Sequence, residues 1–394
     1  MVAGEPSGDM LASHLIPALQ DRLPGARFYG IGGPKMAAQG FEVRTPMDAL
    51  SVFGYVDALK NYRRISKIRN EFRKELLADP PDVFIGVDAP DFNLGLERAL
   101  KAHAVRTVHY VSPSIWAWRG GRLKKIVRST DHILCLFPHE PPLYEGKGIG
   151  VTYIGHPLAD SIPLAQSRDL TREKLQIPPS LTVVAFLPGS RQSEIARLAE
   201  PMLKAAAILR ERIPNPLFLV PLATRETRIQ FETEMFRLGL ADLPIRLMFG
   251  HAQDALGAAD VALVASGTAT LEAALMKCPH VVTYKVGGFQ AWLLKRLAYL
   301  PWVSLPNVLT GRFLVPEILQ DAATPESLAQ ALLDLLANLD QRKEMVAEFS
   351  SIHERLRQGS VQRAAEAILA VMGRRASVLQ ADGPEMSAQP LSGL

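Results

Sequence analysis

The chain alternates short apolar runs with longer amphipathic stretches, and this alternation occurs twice. In the first half, runs that predict strands lie at residues 28–31, 83–87, 107–111, 133–136 and 152–154. In the second half they lie at residues 183–187, 217–221, 246–249, 261–264 and 280–283. Strands without a polar alternate face are typical of parallel sheets that are covered on both sides. The pattern therefore predicts two doubly wound α/β domains with right-handed crossovers.

The stretches between these runs predict helices and indicate where the domains end. Helical periodicity in the first half covers residues 9–23, 58–77, 93–103 and 121–129. Prolines interrupt the pattern around residues 155–169, the sequence is purely helical over 325–372, and periodicity is lost beyond Arg374. We therefore expect domains at residues 1–160 and 161–350, a C-terminal helix at 351–373 and a disordered tail at 374–394. Residues 1–3 predict only the stub of a first strand.

Composition argues against several classes of protein. Of the 394 residues, 48% are hydrophobic and 21% are charged, which argues against disorder for most of the chain. The two cysteines, Cys135 and Cys278, are too few for a disulfide framework, and no histidine pair has the spacing of metal ligands. No apolar run reaches the roughly 18 residues of a membrane helix, and no signal peptide is recognisable. We therefore expect a cytoplasmic protein without a metal ion or a cofactor.

Positive charge is concentrated in two stretches of the first half. Seven basic residues lie between Lys60 and Lys74, and five lie between Arg119 and Arg128. The first stretch also carries an apolar stripe at helical spacing, which consists of Leu59, Tyr62, Ile65, Ile68 and Phe72. Basic residues flank this stripe: Lys60, Arg63, Arg64, Lys67 and Arg73. This pattern is typical of a helix that lies on an anionic membrane surface. The alternative is that the stripe packs on the sheet of the first domain and only the charges are exposed.

Ligands of open parallel sheets bind at the carboxyl ends of the strands, so the loops there are the first candidates for a site. In the loop at residues 4–9, glycines permit close backbone approach to an anion, and Glu5 can accept hydrogen bonds from sugar hydroxyls. An ordinary glycine-rich turn is the alternative. The loop after residues 83–87 carries Asp88 and Asp91. One of them can act as a general base while the other sets its pKa by like-charge proximity; alternatively, Asp91 caps the next helix.

Three further loops follow predicted strands. The loop at residues 112–119 carries Trp116 and Trp118, which predict either a flat platform for sugars or acyl chains, or core packing. In the second half, Gly189 permits close approach and Arg191 offers a fork of donors to a diphosphate. Residues 266–268 supply donors at a helix N-terminus, and Glu272 lies one turn further on, where an acid suits ribose hydroxyls. The last two loops together predict a nucleotide diphosphate site.

Six motifs occur in order along the chain: GEPSGD (4–9), GVDAPDFN (86–93), HYVSPSIWAWR (109–119), LPGSR (187–191), SGTATLE (266–272) and SLPN (304–307). Together they resemble the motifs of the lipid-A-disaccharide synthase family of lipopolysaccharide synthesis. The resemblance spans about residues 1–372. It implies two Rossmann-like domains that face a cleft, the glycosyltransferase B type, with the C-terminal helices crossing back to the first domain.

The resemblance also implies an activity, an inverting hexosyl transfer. UDP-2,3-diacylglucosamine would condense with 2,3-diacylglucosamine 1-phosphate to give the β-1',6-linked disaccharide 1-phosphate and UDP. Asp91 would be the base, with Asp88 as its neighbour and fallback, while Arg191 and residues 266–268 would stabilise the leaving diphosphate. Glu272 would hold the ribose. The other residues implied to bind substrate are Glu5, Ser7, Gly8, Asn93, Ser112, Trp118, Gly189, Ser190, Ser266, Gly267, Thr268, Asn307 and Glu317.

Three alternatives to this function stay open. Another UDP-sugar enzyme of the same fold would transfer to a different lipid acceptor or epimerise its sugar. A nucleic-acid-binding protein would use the basic helix, but aromatic residues do not interleave with its charges as a stacking platform requires. A non-catalytic lipid-binding protein would leave Asp88, Asp91 and Arg191 without a task. The expected partners are a UDP-sugar donor, an acylated sugar-phosphate acceptor, the inner membrane as an anionic surface, and a second copy in a homodimer, with no nucleic acid.

Overall fold

A computed structural model describes residues 1–50, 55–116, 120–288 and 300–381, and omits the side chains of residues 55–62, 120 and 374–381. The chain divides into two compact units. The first unit is Met1–Gly155 together with Gly359–Leu394, and the second unit is His156–Gln358. Each unit is built on a parallel sheet with helices between the strands, which confirms the predicted fold class.

The first unit contains a seven-stranded parallel sheet with the order β3-β2-β1-β4-β5-β6-β7. Its strands are β1 (Val2–Ala3), β2 (Tyr29–Gly32), β3 (Glu42–Pro46), β4 (Val83–Val87), β5 (Arg106–Tyr110), β6 (His132–Cys135) and β7 (Gly150–Tyr153). Its first helices are α1 (Pro6–Gln20), α2 (Pro34–Ala37), α3 (Tyr55–Ala78), α4 (Pro90–Lys101) and α5 (Leu123–Ser129). The strand order reverses between β1 and β4. This reversal is the topological switch point, where open α/β sheets bind their ligands.

Successive residues of the central strands supply the cores on the two faces of this sheet. Val2 and Phe84 are buried with Phe72 of α3 and Phe92 of α4 on one face. The residues that follow them in the chain, Ala3 and Ile85, are buried on the other face with α1. Side chains alternate between the faces of a strand, so apolar residues at consecutive positions require helices on both sides.

The second unit contains a six-stranded sheet with the order β10-β9-β8-β11-β12-β13. Its strands are β8 (Thr182–Leu187), β9 (Pro216–Leu222), β10 (Ile245–Phe249), β11 (Val261–Ala265), β12 (His280–Tyr284) and β13 (Glu317–Leu319). Its helices begin with α6 (Pro157–Ser161), α7 (Arg168–Lys174), α8 (Gln192–Arg212), α9 (Arg225–Arg237), α10 (Ala252–Ala258), α11 (Thr268–Leu275) and α12 (Leu305–Thr310). Here the order reverses between β8 and β11, which is the switch point of this sheet.

Three helices end the described chain: α13 (Pro325–Ala337), α14 (Leu339–Leu356) and α15 (Ser360–Ala381). The first two belong to the second unit, and α15 belongs to the first unit. Ala364, Ile368 and Val371 of α15 are buried in the same core cluster as α1. The predicted tail at residues 374–394 therefore begins too early, since α15 continues to Ala381. Residues 382–394 lie outside the part of the chain that is described.

The apolar stripe predicted for a membrane surface lies on α3, and its described part faces the protein. Phe72 is 4% exposed, and Ile65 and Ile68 are partly buried against the same core cluster. For these residues the alternative of packing on the sheet is correct, while Arg63 and Lys67 are exposed. The side chains of Leu59 and Tyr62 lie outside the description. Among the described residues, no helix combines the length and apolarity that crossing a bilayer requires.

Candidate active site

Glycines bring two predicted loops together at the switch point of the first unit. A Cβ on Gly4 would lie 3.3 Å from Cβ of Ala89, and one on Gly8 would lie 3.4 Å from the carbonyl oxygen of Val87. The loop after β1 therefore packs directly against the end of β4 and the loop after it. Glu5 at the end of this loop and Ser7 in the first turn of α1 are exposed, whereas Gly8 in the same turn is buried. The structure thus places these three predicted residues at the same sheet edge as Asp88.

The loop that carries Asp88 has an unusual backbone. Asp88 and Ala89 have φ angles of 51° and 44°, in the left-handed region that side chains with a Cβ seldom adopt. The N–H of Asp88 donates to the carbonyl oxygen of Tyr110 over 2.8 Å, and Nδ2 of Asn93 donates to the carbonyl oxygen of Asp88 over 2.8 Å. Strained backbone that its surroundings hold in place is a common feature of functional sites. Asn93 itself is buried, so it positions this loop from below.

The two aspartates of this loop differ in environment. Burial raises the pKa of Asp88, and the charge of His109 offsets part of that rise. The Asp91 side chain is 75% exposed, and its Oδ1 lies 2.7 Å from the Arg122 guanidinium. Asp91 does not cap α4, because the N-cap residue is Ala89. The expectation that one aspartate shifts the pKa of the other stays a prediction, because the causes that act on Asp88 are burial, the charge of His109 and a hydrogen bond with the backbone of Ala89.

Sequence reasoning missed a buried ion pair beneath this loop. Oε1 of Glu97 on α4 lies 2.6 Å from Nδ1 of His109 on β5, and both side chains are fully buried. Burial alone would lower the pKa of His109, but the Glu97 carboxylate outweighs it and raises the pKa above its ordinary value. Burial also raises the pKa of Glu97. One feature of the sequence could have indicated that Glu97 is buried: it lies one helical turn after Asn93, on the face of α4 that packs against the sheet.

The loop after β5 is tied to the loop after β6. The Ser112 hydroxyl lies 2.8 Å from the Tyr144 hydroxyl, and Nε1 of Trp116 donates to Oε1 of Glu140 over 3.3 Å. Ser112 is only 3% exposed, so its hydroxyl serves this internal contact. Burial raises the pKa of Glu140 to about 7. The other predicted residue of this loop, Trp118, lies outside the described residues.

At the switch point of the second unit, the loop after β8 presents Arg191. Gly189 has a φ of 114°, and a Cβ there would overlap the side chain of Glu194. Oε2 of Glu194 accepts the N–H groups of Ser190 at 2.9 Å and Arg191 at 3.2 Å. These two backbone amides are therefore already satisfied by a carboxylate, a contact that the sequence did not predict. The Arg191 side chain is 69% exposed, so its guanidinium is the group of this loop best suited to a diphosphate.

The loop after β11 leads into the N-terminus of α11. Gly267 precedes the helix with a φ of 146°, and Gly267 and Thr268 are exposed. The first amides of a helix have no partner within it, so they favour an anion. The Ser266 hydroxyl donates to the carbonyl oxygen of Val303 over 3.1 Å, which ties this loop to the segment before α12. Burial raises the pKa of Glu272, whose Oε1 accepts Nε2 of Gln253 over 3.1 Å.

Glu317 and Asn307 support the segment that docks beside α11. Oε1 of Glu317 accepts the backbone N–H of Ser304 at 2.9 Å, its hydroxyl at 2.7 Å and Nδ2 of Asn307 at 2.9 Å. Oδ1 of Asn307 accepts the N–H groups of Leu314 and Val315. Asn307 is fully buried with both polar atoms bonded, so its geometry fits a positioning role behind the donor loops. Direct contact of Asn307 or Glu317 with a donor stays a prediction. No cluster of potential metal ligands occurs among the described residues.

Comparison with known proteins identifies relatives along nearly the whole chain. A family model described as lipid-A-disaccharide synthetase matches residues 1–371. The lipid-A-disaccharide synthase of Dechloromonas aromatica is 61% identical over 370 residues, covering 94% of this chain and 97% of that protein. That of Aromatoleum aromaticum is 56% identical over 374 residues, covering 95% and 96%.

Solved structures resemble the fold at low sequence identity. A putative UDP-N-acetylglucosamine 2-epimerase from Listeria monocytogenes aligns with a TM-score of 0.62 at 14% identity, covering 96% of each chain. MurG of Acinetobacter baumannii aligns with a TM-score of 0.57 at 15% identity, covering 94% of this chain and 98% of that one. At such identity the likeness concerns the fold alone.

Proposed function

The chain belongs to the lipid-A-disaccharide synthetase family, and from that membership we propose how its two sheet edges divide the reaction. It is a glycosyltransferase of lipid A disaccharide synthesis. The proposed donor is UDP-2,3-diacylglucosamine and the proposed acceptor is 2,3-diacylglucosamine 1-phosphate. The products are the β-1',6-linked disaccharide 1-phosphate and UDP.

The switch point of the second unit binds the UDP part of the donor. Support comes from the exposed Arg191 guanidinium and from the open first turn of α11, because both offer donors to a diphosphate. As the bond between the anomeric carbon and the diphosphate oxygen breaks, these groups stabilise the charge that develops on UDP. Glu272 lies within the same helix and accepts hydrogen bonds from the ribose hydroxyls.

The switch point of the first unit supplies the base, and we propose Asp88 for that role. The acceptor 6-hydroxyl attacks the anomeric carbon, its proton passes to the carboxylate, and the configuration inverts. A general base works best when its pKa approaches the working pH, and burial raises the pKa of Asp88 towards that range. Asp91, the base implied by the family resemblance, is solvated and paired with Arg122, so it is the weaker candidate.

The experiment that tests this function incubates the purified protein with both lipids and follows UDP release and disaccharide formation by mass spectrometry. UDP release must depend on the acceptor, whereas an epimerase would act on the donor alone. We expect Asp88→Asn to lower turnover by roughly 10²–10⁴, the range for loss of a general base. Asp91→Asn should lose less than about tenfold, since its carboxylate is exposed and paired.

Asp82→Asn is the matched control, because Asp82 is an exposed aspartate at the opposite end of β4. It should retain the parent turnover. Near-full turnover in Asp88→Asn together with a large loss in Asp91→Asn would assign the base to Asp91. UDP affinity should stay unchanged in all three variants, because the proposed nucleotide site belongs to the second unit.

We also propose that α3 holds the protein peripherally at the cytoplasmic face of the inner membrane. Arg63, Lys67 and Lys74 line a shallow depression on the outer side of the helix together with Ser66, Asn70 and Glu71. Because the described apolar residues of α3 pack inwards, the attraction is chiefly electrostatic, with about 1 kcal/mol for each basic residue near an anionic leaflet. Both substrates carry two acyl chains, so an enzyme at the surface meets them where they reside.

Sedimentation with vesicles tests this association. Replacing Arg63, Lys67 and Lys74 with Ser should release the protein from phosphatidylglycerol vesicles at low salt. The control replaces three exposed basic residues of α8, Arg197, Lys204 and Arg212, and should leave binding unchanged. Equal binding to neutral and anionic vesicles, or retention of the α3 variant, would contradict the proposal. The homodimer stays a prediction.

A further inference from the structure

A cluster of buried polar side chains lies directly beneath the Asp88 loop. It consists of Asn93 and Glu97, one turn apart on α4, and His109 on β5, and all three are fully buried. His109 is paired in register with Gly86, two residues before Asp88. The cluster and the proposed base therefore share one end of the β4–β5 strand pair.

Gly86 makes room for this cluster. A Cβ at that position would overlap Oε1 of Glu97 and would lie 3.0 Å from Cβ of Asn93. Glu97 can therefore reach His109 only because β4 carries no side chain at this point. The glycine in β4 thus leaves space for the ion pair, although a glycine inside a strand weakens that strand.

The cluster is incompletely satisfied within the protein. Oε2 of Glu97, Nε2 of His109 and Oδ1 of Asn93 are buried without a hydrogen-bond partner among the described residues. A buried polar group without a partner is less favourable than one that is hydrogen-bonded, because it has lost its contact with water. A buried ion pair with unmet partners is a poor stabiliser of the fold, since apolar residues of similar volume would serve at least as well. The arrangement therefore points to a role in the chemistry above it.

We propose that His109, held by Glu97, is a positioning residue that places a buried positive charge beside Asp88 and so keeps Asp88 able to accept the proton of the acceptor hydroxyl. This inference rests on the proposed function, in which Asp88 is the base. His109 does not touch the substrate in this scheme. It acts through Asp88, and Glu97 acts through His109.

The surrounding charges support this order of action. The charge of His109 lowers the pKa of Asp88, and the charge of Asp88 raises the pKa of His109, so the two groups are electrostatically coupled. Glu97 on α4 is the principal group that raises the pKa of His109. The charge of Asp131, which precedes β6, raises the pKa of Glu97. The Asp131 carboxylate itself forms an ion pair with Nζ of Lys101 at 3.3 Å. These are the charged groups that face the pair from α4, from the Asp88 loop and from the β5–β6 connection.

The first test is the pH profile of kcat/KM in His109→Gln. Without the positive charge, Asp88 should stay protonated to a higher pH, so the acidic limb should move upward by about one pH unit or more. Turnover should recover at high pH, which a merely structural defect would not allow. Glu97→Gln should move the limb in the same direction, because a neutral amide no longer favours the charged imidazole. A uniform loss at every pH in both variants would overturn the proposal.

The second test does not depend on activity. In protein labelled with ¹³C at the aspartate carboxyl carbons, the Asp88 signal is identified by its loss in Asp88→Asn. Its titration should move to higher pH in His109→Gln and in Glu97→Gln. An unchanged titration in both variants overturns the inference whatever the turnover. A shifted titration in a protein that makes no disaccharide supports the coupling of His109 to Asp88 and rejects the proposed function.

His280→Gln is the matched control. His280 is a fully buried histidine in the second unit, and burial lowers its pKa to about 4, so it carries no charge near neutral pH. Its replacement should leave the acidic limb and the Asp88 titration in place. If His109→Gln does not fold, Glu97→Gln decides alone, since it retains a side chain that bonds His109.

Discussion

Asp9, on the first turn of α1, stabilises the first unit through three backbone hydrogen bonds. Its side chain is only 2% exposed. Oδ1 accepts the N–H groups of Gly33 and Met36 at 3.0 Å each, and Oδ2 accepts that of Lys35 at 3.1 Å. These donors belong to the N-terminus of α2, where helical amides lack internal partners. Asp9 therefore fastens α2 to α1, although it ends a motif that we interpreted as part of a ligand loop.

The expected effect of Asp9→Asn follows from these three bonds. The amide can keep its oxygen at the Oδ1 position, but its NH₂ group then faces the N–H of Lys35. One buried donor is left unmet at about 1–3 kcal/mol, and two bonds lose their charge assistance, so we expect the free energy of unfolding to fall by roughly 2–3 kcal/mol. Asp9→Ala removes all three bonds and should cost roughly 3–5 kcal/mol.

Urea unfolding combined with hydrogen exchange is the appropriate assay, because two units need not unfold in one transition. Exchange should accelerate in peptides that cover β2 and α2, while peptides from β8 and β11 stay protected. Asp21→Asn, at an exposed position just after α1, is the control and should change stability by less than about 0.5 kcal/mol. If Asp9→Asn is as stable as the control, the three hydrogen bonds of the Asp9 carboxylate do not contribute to the free energy of unfolding as proposed.

Four further outcomes are expected from the same structure. Arg191→Ala and Glu272→Ala should each weaken UDP binding about tenfold or more in calorimetry, and unchanged affinity in both would reject the donor site in the second unit. Folding stability should fall as the pH rises from 4.5 to about 7, because folded Glu140 retains a proton that the unfolded chain releases; Glu140→Gln should flatten that slope in urea titrations. Glu317→Gln should accelerate hydrogen exchange in α12, since its carboxylate holds Ser304, the residue before that helix, through the N–H and the hydroxyl of Ser304. Gly86→Ala should destabilise the first unit by about 1–3 kcal/mol through overpacking, measurable as a lower urea midpoint.

The central strands and the loops after them were predictable because their signals are local. Strands such as β4 and β11 are continuous apolar runs, and each is followed by residues that favour turns, Asp88 after β4 and Ser266 and Gly267 after β11. The edge strand β3 was missed because its residues are mostly exposed, which removes the apolar run. The edge strand β13 was missed because it is only three residues long.

The roles of individual acids depended on tertiary contacts that no local pattern contains. Asp88 and Asp91 look equivalent in the sequence, but the left-handed turn at Ala89 leaves one half-buried and the other exposed. Glu97 is an ordinary helical acid until β5 brings His109 within 2.6 Å. Glu194 follows Arg191 closely, yet its contact with the loop amides depends on the left-handed Gly189. The sequence therefore does not show which charged residues are buried, because their partners come from distant parts of the chain.

The position of α15 imposes an order on biosynthesis. The first unit occupies the start of the chain, but its core is completed by Ala364, Ala365, Ile368 and Val371. While the ribosome synthesises the second unit, the face of α1 that these residues cover stays open to water and to other nascent chains. The core of the first unit, whose synthesis begins first, is therefore the last to be completed. Any event that stops translation between the two segments therefore leaves the apolar face of α1 uncovered.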